Sequence, residues 1–225
     1  MTIDIRVLDD PARAAGELLA EAAVAGANVA LSGGSTVGKA YEAAAALRRR
    51  WDGVHVWFGD ERAVPPDDRN SNFRLVGETL LAALDSRPET HRVQGERPAE
   101  EAAALYDAEL DGVVLDLALN GIGADGHTAS LFPGAPALVE TERRAVAAEP
   151  ALEPFVARVT LTPPVFAACS VLVYLVTGEE KAEAVRRAFA ADASPEVPAS
   201  LIRGRRTIAV LDRAAATLLS DFRNP

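Results

Sequence analysis

The 225-residue chain has little of what several classes of protein require. It contains one cysteine, Cys169, so no disulfide within the chain is possible, and a reducing compartment is expected. No apolar run approaches the roughly 18 residues that indicate a membrane-spanning helix. The N-terminus lacks the basic start and apolar segment of a secretory signal. We therefore expect a cytoplasmic protein that does not enter membranes.

Positive charge is also scarce. The chain has 23 Lys and Arg against 33 Asp and Glu, which gives a formal net charge of −10. This excess of negative charge argues against binding to nucleic acid or to anionic membrane surfaces. An anionic substrate would need a local cluster of cations to overcome the negative field of the whole molecule.

Metal ligands and familiar catalytic signatures are sparse as well. His55, His91, His127 and Cys169 show no metal-ligand spacing, and Asp125 with His127 are too few for a zinc site. We therefore predict no metal. The P-loop pattern and the dinucleotide fingerprint are absent. The Gly-x-Ser-x-Gly elbow is absent too, which argues against a serine-nucleophile hydrolase.

What the sequence does contain is an alternation of strand and helix patterns. Strands separated by helices of about ten or more residues indicate βαβ units, and hence a mostly parallel sheet covered by helices on both faces. The strand patterns cover residues 3–8, 28–31, 54–58, 113–119, 156–161, 171–177 and 207–211. The helix patterns run from Pro11 to near Gly26 and over residues 36–50, 71–84, 100–110, 178–190 and 213–220.

The most informative segment follows the predicted strand 113–119. It reads Gly121-Ile-Gly-Ala-Asp-Gly-His127 and continues to Gly134, so Asp125 and His127 stand in a glycine-rich turn. In open α/β sheets, ligands bind beyond the carboxyl ends of the strands. A carboxylate two residues away could orient the imidazole or raise its basicity, so His127 is a candidate general base. The alternative is a polar turn with a solvent-facing histidine.

A second turn, Leu31-Ser-Gly-Gly-Ser-Thr36, joins a predicted strand to a helix. Successive backbone N–H groups at a helix N-terminus, here with two hydroxyl groups, form a ready anion site. Gly33, Gly34, Ser35 and Thr36 are therefore candidates to hold a phosphate. A tight turn that merely caps the helix is an equally good interpretation.

Charged residues follow the third strand. Asp60, Glu61 and Arg62 would stand on the same rim as His127, although a solvated surface turn explains them too. Asn72 stands at the start of a helix, where capping is its ordinary role. Arg158 lies in an apolar strand and Lys181 opens a helix. Each has an ordinary explanation as a strand edge or a helix surface, but with Arg62 they could supply the required cationic cluster.

Four segments in chain order resemble the 6-phosphogluconolactonase family over nearly the whole chain. They are residues 31–36, residues 58–62 with Ser71 and Asn72, residues 121–134, and residues 158–162 followed by 178–182. The stretch from Asp125 to Gly134 carries the most specific part of the resemblance. The resemblance implies a single domain over residues 1–225 with a three-layer α/β/α, Rossmann-like fold. It also implies hydrolysis of a sugar-phosphate lactone, 6-phosphoglucono-δ-lactone, without a cofactor. Where the family often has Ser-Pro-Lys-Pro-Pro before the arginine strand, this chain has Glu153-Pro-Phe-Val-Ala157.

The lactone chemistry gives each residue a predicted role. His127 would activate water, Asp125 would orient the histidine or its loop, and Arg62 would stabilise the oxyanion or hold substrate, with Asp60 fixing Arg62 or a sugar hydroxyl. The predicted substrate-binding set is Gly33, Gly34, Ser35, Thr36, Asn72, Arg158 and Lys181. We expect a monomer.

Two alternatives stay open at the level of sequence. The related glucosamine-6-phosphate deaminases and isomerases share the fold, but they typically have Met-Asp-Glu-Tyr where this chain has Gly59-Asp-Glu-Arg62. They also follow the histidine with Ile-Ala-Phe-Asn-Glu, where this chain has Thr128-Ala-Ser-Leu-Phe132. The glutamate that assists ring opening there has no counterpart here. A non-catalytic sugar-phosphate sensor is the other alternative, and binding alone would not require a titrating base at position 127.

Overall fold

The computed structural model describes residues 3–149 and 151–219. Its strands are short runs rich in aliphatic and β-branched residues, as strand propensity favours. They are β1 (Asp4–Val7), β2 (Asn28–Leu31), β3 (His55–Phe58), β4 (Asp60–Arg62), β5 (Glu89–Thr90), β6 (Leu117–Asn120), β7 (Ala145–Ala148), β8 (Arg158–Leu161), β9 (Val171–Val176) and β10 (Arg206–Leu211).

Seven of these strands form the main sheet, in the order β1-β10-β9-β6-β2-β3-β5. Every pairing in this sheet is parallel. The central strand β6 is buried along its whole length. Uninterrupted apolar burial is the expected character of a parallel strand that is covered on both faces.

The helices cross over between these strands and flank the sheet. They are α1 (Pro11–Ala22), α2 (Ser35–Leu47), α3 (Asn72–Thr79), α4 (Ala99–Glu109), α5 (Pro163–Ala168), α6 (Ala182–Phe189) and α7 (Pro198–Leu201), with 3₁₀ turns at Leu81–Ala83, Pro136–Val139 and Glu179–Lys181. This arrangement confirms the predicted Rossmann-like α/β fold. The α1 start is also as predicted, because Asp10 accepts a hydrogen bond from the Arg13 amide and Pro11 follows it. Within residues 3–149 and 151–219, no helix combines the length and apolarity needed to span a membrane.

A second, smaller sheet was not predicted. It contains β4, β8 and β7, and both of its pairings are antiparallel. The predicted turn at residues 60–62 is in fact strand β4. The strand predicted over residues 156–161 begins at Arg158 and belongs to this smaller sheet rather than to the parallel one. The pairing sets Arg62 directly opposite Arg158, which builds one side of the site described below.

Several predicted boundaries also change. Strand β6 begins at Leu117 rather than at residue 113, and the Asp116 carboxylate just before it accepts a hydrogen bond from the Asn28 amide. Helix α3 ends at Thr79, and a 3₁₀ turn replaces the remainder of the predicted 71–84 helix. The predicted final helix 213–220 is wrong over residues 213–219, which form successive turns. Ser220 lies outside the described residues.

Candidate active site

A cavity of about 610 Å³ opens beyond the carboxyl ends of β2, β3, β6 and β9. This is the edge of a parallel sheet where ligands are expected. The cavity brings together all the predicted site residues except Asp125 and Asn72. Those in its wall are Gly33, Gly34, Ser35, Thr36, Asp60, Arg62, His127, Arg158 and Lys181.

His127 and Asp125 form a hydrogen-bonded pair at the cavity wall. The His127 Nδ1 lies 2.5 Å from the Asp125 Oδ1, and the His127 backbone amide donates to the same oxygen at 3.2 Å. When Nδ1 carries the proton, Nε2 keeps a free lone pair and can accept a proton from water. The side chain of His127 is 22% exposed, so the ring stands at the surface of the cavity with solvent access.

Asp125 is well suited to this pairing. Burial raises the pKa of its carboxyl group, but the hydrogen bonds and positive charge of His127 more than offset this and hold the pKa below its ordinary value. Asp125 is therefore ionised at neutral pH. An ionised Asp125 fixes the imidazole tautomer and stabilises the imidazolium that forms after proton transfer.

The glycine-rich turn makes this pair possible. A Cβ at Gly123 would overlap both the His127 ring and the Asp125 carboxylate. The loop is closed by hydrogen bonds from the Gly123 amide to the His127 carbonyl and from the Gly126 amide to the Gly123 carbonyl, both 2.9 Å. Gly126 has φ +88°, a left-handed conformation that favours glycine. The sequence pattern therefore specifies a backbone on which the two side chains can meet.

The first turn of α2 forms another part of the wall. Gly34, with φ +125°, is the N-cap residue of the helix and has no side chain with which to cap the helix amides. Thr36 Oγ1 lies 3.1 Å from Thr177 Oγ1, which ties this turn to the end of β9. Amide groups and hydroxyls at a helix N-terminus, next to the positive end of the helix dipole, suit a phosphate.

Arg62 and Arg158 supply positive charge to the cavity. Both line it, and in the described ranges 3–149 and 151–219 neither forms an ion pair with a carboxylate. The buried Nε atoms of both guanidinium groups also lack a hydrogen-bond partner within those ranges. Burial lowers the pKa of Arg158, while the nearby Asp60 carboxylate opposes this shift. A bound anion would give both groups the partner that they lack.

Two of the three acidic residues in the wall, Asp60 and Asp212, already accept hydrogen bonds from protein donors. Asp60 accepts hydrogen bonds from Ser130 Oγ at 2.7 Å and from Asn72 Nδ2 at 3.1 Å. Asp212 accepts from the amides of Gly178 and Ala215. Their negative charge is therefore partly satisfied by fixed donors, whereas Lys181 and the two arginines keep free N–H groups for a ligand.

Asn72 lies behind the cavity wall and contacts two of the predicted site residues. It is completely buried and does not line the cavity, and its predicted contact with substrate stays a prediction. Its Oδ1 accepts a hydrogen bond from Arg62 Nη1, and its Nδ2 donates to the Asp60 carbonyl and carboxylate. Asn72 is thus a positioning residue that orients Arg62 and Asp60.

Glu61 is a further positioning residue that the sequence analysis left without a role. Its buried carboxylate accepts hydrogen bonds from the amides of Arg62, Asn72 and Phe73 and from Ser71 Oγ, at 2.8–3.1 Å. Burial raises the pKa of Glu61, although these backbone amides oppose the shift. The carboxylate therefore fastens the start of α3 to β4 and fixes the backbone that carries Arg62.

We expect Glu61→Ala to lower the free energy of unfolding by roughly 2–5 kcal/mol, because several buried donors lose their acceptor. Glu61→Gln, which keeps one carbonyl oxygen, should cost less. Chemical denaturation measures both changes. Glu78→Ala is the control. It breaks an exposed ion pair between Glu78 and Arg74 within helix α3 and should cost less than about 1 kcal/mol. A Glu61→Ala cost no larger than the control's would show that Glu61 is not an anchor.

The fold and the cleft define a Rossmann-like α/β protein with a candidate active site where the parallel strands end. Comparison with known proteins makes this specific. The family described as glucosamine-6-phosphate isomerases/6-phosphogluconolactonase matches residues 6–210, and the chain belongs to this family.

Relatives in sequence and structure agree with this assignment. The chain is 37% identical over 209 residues to human 6-phosphogluconolactonase, covering 84% of this chain and 80% of that protein. It is 32% identical over 204 residues to the 6-phosphogluconolactonase of Haemophilus influenzae, covering 85% of this chain and 87% of that protein. The crystal structure of 6-phosphogluconolactonase from Leishmania guyanensis superposes with a TM-score of 0.81 at 27% identity. The superposition covers 97% of this chain and 99% of that chain. A monomeric glucosamine-6-phosphate deaminase, at 20% identity and a TM-score of 0.80, shares the fold.

Proposed function

We propose that this protein hydrolyses 6-phospho-D-glucono-1,5-lactone to 6-phosphogluconate, a step of the oxidative pentose phosphate pathway. The observation that carries the proposal is the combination, in one cleft, of the Asp125–His127 pair with two arginines that lack carboxylate partners in the described ranges. The Asp125–His127 pair is suited to activating water, and the two arginines are suited to a phosphorylated substrate. The names of the curated relatives support the same activity.

The proposed reaction starts with water at His127. Nε2 takes a proton as the water oxygen attacks the lactone carbonyl carbon, and a tetrahedral oxyanion forms. Arg62 stabilises this negative charge through N–H groups that its own contacts leave free. The bond between the carbonyl carbon and the ring oxygen then breaks. The imidazolium returns its proton to the ring oxygen, which yields the hydroxy acid and restores the base.

The phosphate is proposed to bind between the first turn of α2, Arg158 and Lys181. Ser35 and Thr36 offer amides and hydroxyls, and the cations supply charge-assisted hydrogen bonds. This local positive charge would overcome the net charge of −10. The proposed chemistry uses neither a metal nor a cofactor. The proposed unit is a cytoplasmic monomer.

We expect Lys181→Ala and Arg158→Ala each to raise the KM for the phosphorylated lactone, because each removes a charge-assisted contact of about 1.5–3 kcal/mol. Stem loss or strain could also raise KM, so the decisive quantity is the preference for 6-phosphogluconolactone over unphosphorylated gluconolactone. This preference should shrink about tenfold or more. Lys39→Ala, an exposed change on α2, is the control and should preserve it. If both cleft variants kept the wild-type preference, the phosphate site would be misplaced.

Paired assays on the purified protein separate the proposal from its alternatives. One assay follows loss of freshly made 6-phosphogluconolactone, and the other follows ammonia release from glucosamine 6-phosphate. We expect the first reaction and not the second, because the glutamate that assists ring opening is missing after His127. Ammonia release without lactone hydrolysis would favour the deaminase alternative. Binding of 6-phosphogluconate without turnover of either substrate would favour the sensor.

A further inference from the structure

Two of the chain's three histidines meet at the outer edge of the main sheet, away from the cleft. His55 is the first residue of β3 and pairs in register with Glu89, the first residue of β5. His91 lies two residues beyond Glu89, so its side chain faces the same side of the sheet. The His91 amide donates to the Val56 carbonyl at 2.9 Å, which holds it beside β3.

The potential ligand atoms of these three residues converge. His55 Nδ1 lies 3.0 Å from His91 Nε2 and 3.6 Å from Glu89 Oε2, and His91 Nε2 lies 3.9 Å from Glu89 Oε1. Ligand atoms on a tetrahedral zinc ion, with bonds of about 2.0–2.1 Å, lie about 3.3 Å apart. The two histidine nitrogens lie close to that separation, whereas the two distances to Glu89 involve different carboxylate oxygens. One ligand atom from each of the three side chains already lies within 4.8 Å of the others, so rotation of the exposed Glu89 side chain would bring a single oxygen toward both imidazoles.

His91 is held in place by two further contacts. Its Nδ1 lies 2.6 Å from Glu109 Oε1, and its ring stacks on Trp57 with centroids 3.9 Å apart and planes inclined by 6°. Trp57 is itself fixed by a hydrogen bond from Nε1 to Asn28 Oδ1 at 2.9 Å. With a carboxylate at Nδ1, the lone pair of His91 Nε2 faces His55 Nδ1, and a metal ion would replace the proton between these two nitrogens. A carboxylate behind the imidazole is the usual arrangement of a metal-ligating histidine.

We propose that His55, Glu89 and His91 form a binding site for one divalent transition-metal ion, with zinc as the best-matched metal. Glu109 supports the site through His91. Two imidazole nitrogens and one carboxylate oxygen suit zinc rather than magnesium or calcium, which prefer all-oxygen ligand sets. Glu89 is 66% exposed and His55 33%, so water can reach the fourth coordination position.

The proposed site is structural and separate from catalysis. It lies at the amino end of β3, whereas the cleft lies beyond the carboxyl end of the same strand. Strand β5 contains two residues and forms one edge of the sheet. A metal ion that joins His55 to Glu89 and His91 would fasten this short edge strand to β3. The spacing of 36 residues between His55 and His91 concealed the cluster in the sequence, where the three histidines gave no metal-ligand pattern.

The test uses the untagged 225-residue protein. EDTA first removes any bound metal, and the EDTA is then removed by dialysis. Calorimetric titration with Zn²⁺ is expected to give one site per chain that magnesium does not occupy. At a free zinc concentration about 100-fold above Kd, the melting temperature should rise by about 5–10 °C. Ni²⁺ provides a second readout, because binding at His91 should quench the fluorescence of the stacked Trp57.

Variants locate the ion. His55→Gln should abolish the zinc-dependent rise in melting temperature, and Glu109→Gln should weaken binding about 10- to 100-fold through the loss of support to His91. His55 is preferred to the more buried His91, whose replacement could unfold the edge. His127→Ala is the matched control and should bind zinc like the wild type. Absence of a zinc site in the wild type would overturn the proposal, as would zinc binding that is unchanged in His55→Gln.

Discussion

Replacement of His127 by alanine is expected to lower the kcat for lactone hydrolysis by about 10²- to 10⁴-fold, the usual loss for a general base. The reason is local: His127 is the histidine in the cleft wall, and its pairing with Asp125 through Nδ1 leaves Nε2 to activate water. Steady-state kinetics on freshly prepared lactone measure the effect. A variant within threefold of wild type would remove His127 from this role.

Two controls separate loss of the base from loss of the cleft. His127→Ala should bind 6-phosphogluconate with nearly wild-type affinity, because the phosphate is held by α2, Arg158 and Lys181. His55→Gln, which removes a histidine at the opposite end of β3, should keep wild-type kcat. Weak product binding by His127→Ala would instead indicate a distorted site.

Substitution of Gly123 by alanine is expected to reduce kcat about 100-fold, although residue 123 needs no contact with substrate. The new methyl group would overlap the His127 ring and the Asp125 carboxylate, so the pair must move. A displacement of about 1 Å in a catalytic group can cost this much. The same assay, with a melting curve to verify folding, measures the loss.

Gly121→Ala is the matched control for this prediction. Gly121 belongs to the same turn, but the nearest atom to a Cβ there is the Leu175 carbonyl oxygen at 3.9 Å, an ordinary contact. Its kcat should stay within about threefold of wild type. Equal losses in the two variants would mean that the turn, rather than the Asp125–His127 pair, is sensitive to added bulk.

The parts of this structure that were predictable are those encoded locally. Strand β2 was predicted with its exact bounds, because an apolar run between turn residues has few alternatives. The placement of His127 at the end of a buried strand followed from the same local logic. The residues that follow different parallel strands could be assigned to one site because the carboxyl ends of these strands share one edge of the sheet.

The parts that were missed depend on pairing between distant segments. The Arg62–Arg158 pair arises from β4 and β8, which are nearly a hundred residues apart. Residues 156–161 were predicted as a strand, but the three-residue β4 and its pairing with that strand were not. The anchor role of Glu61 depends on the path of the chain into α3, which brings four donors to one carboxylate. The His55–His91 cluster likewise exists because β5 pairs with β3.

The most direct test of the central claim is the rate at which the purified protein hydrolyses freshly made 6-phosphogluconolactone. NMR follows the reaction, and the rate is compared with that of spontaneous hydrolysis. Unphosphorylated gluconolactone is measured in parallel. The cleft described here predicts rapid, EDTA-insensitive hydrolysis of the phosphorylated lactone, with a much lower kcat/KM for the unphosphorylated one. A phosphorylated lactone that disappears no faster with protein than without it would contradict the account.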